Sequence, residues 1–233
     1  MEPDPKDKNN NGKSALPDEY RQGFAIFCGC RIDLSQRVLI PRPETEFMVR
    51  RAIQDITVKA RRAVKVLDIF SGSGCAGVAV AKNIPGVAVD FSDIDPKAVA
   101  QIKINLDING IAANRVRVFE SDIFETIPAG AKYDAILANP PYVDPARIAE
   151  VQDSVLDHEP YRALFGGKGG LEVIARFLRA AKDYLEPGGF IYMEFDTQQA
   201  DAIKIMLDDN GYKGYDFLRD QFGQIRFVKA GLI

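Results

Sequence analysis

Val64-Lys65-Val66-Leu67-Asp68-Ile69, running into Phe70-Ser71-Gly72-Ser73-Gly74 and then into the Ala- and Val-rich stretch 75–83, decides the architecture of this chain. The apolar run 64–69 reads as a buried strand, the glycines as a tight turn, and 75–83 as a helix. Glycines let a ligand approach the backbone, and the helix start that follows offers N–H groups. The turn lacks the full Gly-x-Gly-x-x-Gly fingerprint, which argues against a pyrophosphate ligand.

The same alternation continues outward. Strands are expected at 87–91, 116–119, 133–138 and 190–195, and helices at 96–109, 171–185 and 197–210. Gly110, Pro187-Gly188-Gly189 and Gly211 act as stops. The tail, 215–218 and 224–229 around Gly223, reads as an antiparallel hairpin. Upstream, 24–27 and 37–40 flank Gly29 as a second small hairpin, and Pro43 opens a helix to about residue 56, with Glu44 and Glu46 at its positive end. This pattern predicts an α/β fold with a mostly parallel, twisted sheet covered by helices on both faces. The expected organisation is a disordered tail over 1–19, a β-hairpin appendage over 20–42 and a catalytic domain over 43–233.

Composition narrows the function classes. The 233 residues are 46% hydrophobic and 27% charged, ordinary for a soluble globular chain. No apolar stretch approaches the ~18–20 residues needed to cross a bilayer, so no membrane role is expected. Three cysteines argue against a disulfide framework and for the reducing cytoplasm. No Cys/His cluster completes a metal site, and the single His158 reads as a structural or loop residue. The net charge of −3 is no footprint for a nucleic-acid binder. Residues 1–65 carry 13 Lys/Arg against 9 Asp/Glu, and the remainder 17 against 24. The basic excess around Arg50, Arg51, Lys59, Arg61, Arg62 and Lys65 reads as a solvated helix face.

Candidate ligand residues fall at the carboxyl ends of successive strands, where open α/β sheets bind ligands. Asp93 stands about twenty residues past the glycine turn, where a carboxylate can accept from both ribose hydroxyls. Asp95 reads as the cap of the helix opened by Pro96. After the third strand, Asp122 can receive an adenine amine, with Ile123 and Phe124 as apolar walls. Together these describe a pocket for an adenosine carrying no phosphate. After the fourth strand stands Asn139-Pro140-Pro141-Tyr142. Asn offers an amide carbonyl, the peptide before a proline offers another, and the two prolines hold the loop stiff and extended. With the face of Tyr142 beside them, these acceptors suit a planar –NH2 group, such as an amide or the exocyclic amine of a base. The long stretch 143–170, with two close glycine pairs, is expected to cover the site.

With these residues in place, the chain resembles the protein-glutamine methyltransferases of the PrmC/HemK type, from about Tyr20 to the end. The most specific element is Val38-Leu39-Ile40-Pro41-Arg42-Pro43-Glu44-Thr45-Glu46. Glu159-Pro160, Ala163-Leu164-Phe165-Gly166-Gly167, Gly170-Leu171, Asp220, Gly223 and Arg226 match as well. The resemblance implies a Rossmann-like class I S-adenosylmethionine-dependent methyltransferase. Its sheet would be seven-stranded and mostly parallel, with a C-terminal antiparallel hairpin. The implied reaction is methylation of a glutamine side-chain amide in the Gly-Gly-Gln loop of a peptide-chain release factor, free of the ribosome. By the same resemblance, Phe70, Ser71, Gly72, Ser73 and Gly74 would cradle the cofactor's amino-acid end, Asp93 and Ile94 its ribose, and Asp122 and Ile123 its adenine. Asn139 would touch both cofactor and substrate; Pro140 and Tyr142 would join it in catalysis; Pro141, Arg42, Glu44 and Thr45 would help bind substrate.

Two departures stand out. The family usually has Gly-Thr where this chain has Phe70-Ser71, so Phe70 is not expected to use a backbone conformation open to glycine only. Bacterial members normally begin with a helical domain of about eighty residues, whereas some twenty precede the match here. The catalytic domain is thus expected without that recognition domain. An adenine-N6 methyltransferase on DNA or RNA is the alternative, since it shares the Asn-Pro-Pro-Tyr logic but would want a basic channel. A cofactor- or partner-binding remnant is a third reading, opposed by the intact tetrapeptide.

Overall fold

In the computed structural model, which describes residues 14–59 and 63–232, the chain opens with α1 (Asp18–Gln22), the hairpin β1 (Phe24–Phe27) and β2 (Cys30–Asp33), and α2 (Pro43–Lys59). Then follow β3 (Lys65–Ile69), α3 (Cys75–Asn83), β4 (Ala88–Asp93), α4 (Pro96–Ile108), β5 (Val116–Glu120) and β6 (Tyr133–Ala138). Two short helices, α5 (Asp153–His158) and α6 (Tyr161–Leu164), precede α7 (Glu172–Ala181), β7 (Leu185–Glu194), α8 (Ala200–Asp209), β8 (Gly214–Arg219) and β9 (Ile225–Gly231).

The main sheet has seven strands in the order β5-β4-β3-β6-β7-β9-β8. The first five are parallel, and β9 joins β7 and β8 antiparallel. This is the class I methyltransferase fold. Strands β3 and β6 are neighbours whose connections leave in opposite directions, so a crevice opens at their carboxyl ends. Ile69 pairs with Ala138 there, which brings the glycine turn beside Asn139.

Side-chain alternation builds two core layers. Val66, Ala135 and Leu137 point to the face covered by α2, α3 and α4. Leu67, Ile69, Ile136 and Ala138 point to the face covered by α7 and α8. Both faces are buried, which is why these strands read as unbroken apolar runs. The β1–β2 hairpin sends Phe27, Cys30 and Ile32 into the first layer, with Leu34, Val38 and Ile40 following. No helix among the described residues is long and apolar enough to cross a membrane.

Several expectations are corrected. The partner of 24–27 is Cys30–Asp33, not 37–40, because Cys28 and Gly29 both take positive φ (48° and 77°). A two-residue turn of that hand pairs Phe27 directly with Cys30. Residues 37–40 are unpaired, with Val38 and Ile40 buried and the Val38 carbonyl held by the Tyr20 hydroxyl. The helix expected over 171–185 stops at Ala181, a 3-10 turn covers Lys182–Tyr184, and β7 begins at Leu185. Pro187-Gly188-Gly189 is therefore an irregularity inside a strand, between the Tyr133–Leu185 and Ala135–Phe190 pairs. The last helix begins as a 3-10 turn over Thr197–Gln199, started by an Asp196–Gln199 capping box.

Of the tail expected over 1–19, residues 1–13 lie outside the described residues. Beyond them Ser14 donates from its N–H and its hydroxyl to Asp157 at 2.7 and 2.9 Å, and α1 begins at Asp18, so 14–19 are held in place. The Nε2 of His158 lies 3.0 Å from the Ser14 carbonyl. In the basic stretch, Arg50 pairs with Glu46 and Lys65 with Asp90; Arg61 and Arg62 lie outside the described residues.

Candidate functional site

The glycine turn is fixed from below. The Ser71 hydroxyl donates to the Asp68 carbonyl at 2.7 Å, and the Ser92 N–H donates to the Ser71 Oγ at 3.1 Å. The Asp68 carboxylate is buried and accepts from the Gly77 N–H in the first turn of α3 at 2.7 Å. One of the N–H groups expected to face a ligand is thereby taken. Burial pushes the Asp68 carboxyl up to about 8.

Phe70 takes an uncommon backbone for its type. It adopts φ +57°, the left-handed region that glycine occupies most readily, and Ile123 does the same at φ +55°. The Phe70 ring packs edge-on to Phe177 of α7 at 5.6 Å, a contact that holds the conformation in place.

Asp93 closes the turn from β4. Its Oδ2 accepts from the Gly72 N–H at 2.7 Å and its Oδ1 from the Asp95 N–H at 2.9 Å. Each carboxylate oxygen has capacity for a further bond. Burial raises the Asp93 carboxyl above its usual range, against these two hydrogen bonds. Asp95 caps α4 through the Lys97 N–H, as expected. Asp122 is ion-paired with Arg176 of α7 at 2.8 Å. The Ser92 hydroxyl donates to the Ile123 carbonyl at 2.9 Å and so sets the loop after β5.

These groups surround a cavity of about 430 Å³, lined by Phe70, Gly72, Asp93, Ile94, Asp122, Ile123, Asn139 and Pro141. Pro160, Tyr161 and Phe165 line it as well. A smaller recess of about 40 Å³ shares Phe70, Gly72 and Asn139 and adds Arg42, Thr45, Asp68, Ser71 and Ser73. Gly74, Glu44, Pro140 and Tyr142 line neither; Gly74 precedes α3 at φ +76°. The larger cavity has the size of a small-molecule site, and its mix of apolar walls with the carboxylates of Asp93, Asp95 and Asp122 suits a nucleoside.

On the substrate side, the Asn139 Nδ2 donates to Thr45 Oγ1 at 3.1 Å. The Thr45 hydroxyl donates to Glu194 Oε2 at 2.6 Å, and the Tyr142 hydroxyl to Glu194 Oε1 at 3.1 Å. Glu194 ends β7 and is 1% exposed. Arg42 is ion-paired with buried Glu159, whose other oxygen accepts from the Ile40 N–H at 3.1 Å. That pairing ties the 41–46 segment to the segment lining the cavity. The 166–170 stretch explains its glycines: a Cβ on Gly166 would overlap the Pro141 carbonyl oxygen, and one on Gly170 that of Tyr142. Gln199 donates to the Tyr142 and Gly169 carbonyls at 2.9 and 3.0 Å, locking the two loops together.

Glu194, Gln199 and Arg176 were not singled out from the sequence. Glu194 had a signal, since it stands at a strand's carboxyl end as Asp93 does. Arg176 had none, being one of two arginines on the exposed face of α7.

Residues 24–159 match the family model described as a methyltransferase small domain. The chain is 34% identical over 222 residues to the release factor glutamine methyltransferase of Clostridium acetobutylicum, covering 95% of this chain and 77% of that one. It is 36% identical over 196 residues to that of Geobacter sulfurreducens, covering 84% of this chain and 66% of the other. Among solved structures, it resembles the hMettl16 catalytic domain in complex with a 3′UTR hairpin. The TM-score is 0.69 at 17% identity, covering 97% of this chain and 86% of that one, a likeness of fold alone.

Proposed function

Because the chain belongs to the release factor glutamine methyltransferases, we propose that it methylates the side-chain amide nitrogen of a glutamine in the Gly-Gly-Gln loop of a peptide-chain release factor. The cofactor is S-adenosylmethionine, which supplies a methyl group carried on a sulfonium sulfur. The residues present fit it. Asp93 retains acceptor capacity for ribose hydroxyls, Ile94, Ile123 and Phe70 supply apolar walls, and Asp122, paired with Arg176, lines the same cavity and would receive the adenine.

The observation that carries the proposal is the orientation of Asn139. One of its two amide N–H groups donates to Thr45, so the carbonyl oxygen points away from Thr45 and is available to accept from a ligand. An amide nitrogen is a poor nucleophile because its lone pair is delocalised into the carbonyl. In our reading, Asn139 Oδ1 and the Pro140 backbone oxygen accept the two N–H bonds of the substrate amide. That localises the lone pair and aims it toward the cofactor cavity. Positioning supplies much of the rate, and no strong base is required before transfer. Tyr142, anchored through its hydroxyl, would hold the amide plane and exclude water. The acidic balance of the chain supports a protein substrate over nucleic acid. Three cysteines, all free and buried, are in keeping with a reducing cytoplasm.

The test is peptide mass spectrometry of candidate release factors after incubation with the protein and methyl-labelled cofactor, with single- and double-stranded DNA alongside. Label on the glutamine of a Gly-Gly-Gln loop upholds the proposal. Label in DNA with none in protein overturns it in favour of adenine methylation.

A further inference from the structure

The geometry points to Glu194, acting through Thr45, as the positioning residue that decides which end of the Asn139 amide faces the substrate. The inference rests on the glutamine-methylation reading for its catalytic consequence, though not for its geometry.

A threonine hydroxyl has a single hydrogen. At 2.6 Å from a carboxylate oxygen, that hydrogen lies on the Glu194 side. Thr45 Oγ1 is then left as an acceptor toward Asn139, and only the Nδ2 end of the amide can satisfy it. The carbonyl end must point away from Thr45. Reversing the relay would turn the Asn139 –NH2 toward a substrate –NH2, setting donor against donor and leaving both unpaired. A residue that touches no substrate thereby fixes whether the site accepts or donates.

Three elements meet at this relay. Thr45 comes from the first turn of α2, Asn139 follows β6, and Glu194 ends β7. Glu194 is buried, with one oxygen taken by Thr45 and the other by Tyr142, so both ends of the Asn-Pro-Pro-Tyr loop hang from one carboxylate. Arg226 of β9 faces it as the nearby cation, and Glu44 of α2 adds a like charge. Burial raises the Glu194 carboxyl, and the Thr45 and Tyr142 hydrogen bonds favour its charged form.

The test uses Thr45→Val, which keeps the side chain's shape, and Thr45→Ser, which keeps the hydroxyl. Each is examined by exchange NMR on protein carrying isotope-labelled asparagine, with the Asn139 amide identified by its absence in Asn139→Ala. One Nδ2 proton should exchange slowly in the wild type and in Thr45→Ser, and fast in Thr45→Val. Fast exchange in the wild type overturns the relay. On a Gly-Gly-Gln peptide, Thr45→Val should lower kcat by about a hundredfold while the peptide KM moves less than about fivefold. Thr45→Ser should recover most of that loss. Adding Glu194→Gln in the Thr45→Val background should cost less than about threefold more, because the Thr45 contact is already lost there and the glutamine amide oxygen still accepts from the Tyr142 hydroxyl. A full further loss overturns the assignment of Glu194, as does an unchanged kcat in Thr45→Val. If the wild type methylates no glutamine peptide but the exchange pattern holds, the relay stands and the glutamine reading falls.

Discussion

The Gly72 N–H donates to Asp93 Oδ2 at 2.7 Å, so the glycine turn after β3 and the acid ending β4 form one unit. The residue proposed to take a ribose is also the residue that shapes the loop beside it. Substituting Asp93 therefore acts twice.

Asp93→Ala should weaken S-adenosylmethionine binding by about 2–3 kcal/mol, through lost charge-assisted bonds to the ribose. Asp93→Asn keeps an oxygen for the Gly72 N–H and should fall between the wild type and the alanine variant. Titration calorimetry checks both. Unchanged affinity in Asp93→Ala would remove Asp93 from the pocket.

Asn139→Ala should abolish most transfer while leaving cofactor affinity within a few-fold, because its proposed bonds are to the substrate amide. Asn139→Asp keeps an acceptor but adds negative charge next to Thr45 and the cofactor cavity. Single-turnover rates on a glutamine peptide measure the effect; near wild-type turnover in the alanine variant would rule out the amide-holding role.

Phe70 at φ +57° makes an unusual stability order testable. Phe70→Gly should be more stable than Phe70→Ala by about 1 kcal/mol, since both lose the Phe177 contact and only alanine keeps the left-handed penalty. Urea denaturation at fixed pH decides. The reverse order would mean the loop relaxes to negative φ.

Gly166 presses on the Pro141 carbonyl. Gly166→Ala should lower kcat far more than cofactor affinity, because the added methyl group displaces the Asn-Pro-Pro-Tyr backbone while leaving Asp93 untouched. Equal losses in both quantities would show that the displacement spreads into the cofactor cavity.

Burial carries the Asp68 carboxyl from an ordinary 3.8 up to about 8. The folded chain thus keeps a proton there that the unfolded chain has released. The stability from this group is fully present below pH 3.8 and is lost as pH rises through about 8. The thermal midpoint of the cofactor-free protein should carry that downward contribution, and Asp68→Asn should remove it. Identical pH slopes in the two proteins would show that Asp68 titrates normally.

What the sequence determined by itself was whatever depends on short-range pattern. Apolar runs at 64–69 and 133–138, glycine punctuation and strand-end acids were enough to place Asp93, Asp122 and Asn139 along one edge of a parallel sheet. Tertiary structure decided the rest. The β1–β2 register depended on Cys28 taking positive φ, which nothing in a cysteine's chemistry announces. Phe70 likewise occupies a glycine's conformation because Phe177 packs against it from 107 positions away. The Asn139–Thr45–Glu194 relay spans sequence separations of 94 and 149. Periodicity reports which face a side chain turns to. It carries no information on which distant donor will meet which acceptor, because that follows only when the sheet brings the carboxyl ends of β6 and β7 together beneath the first turn of α2.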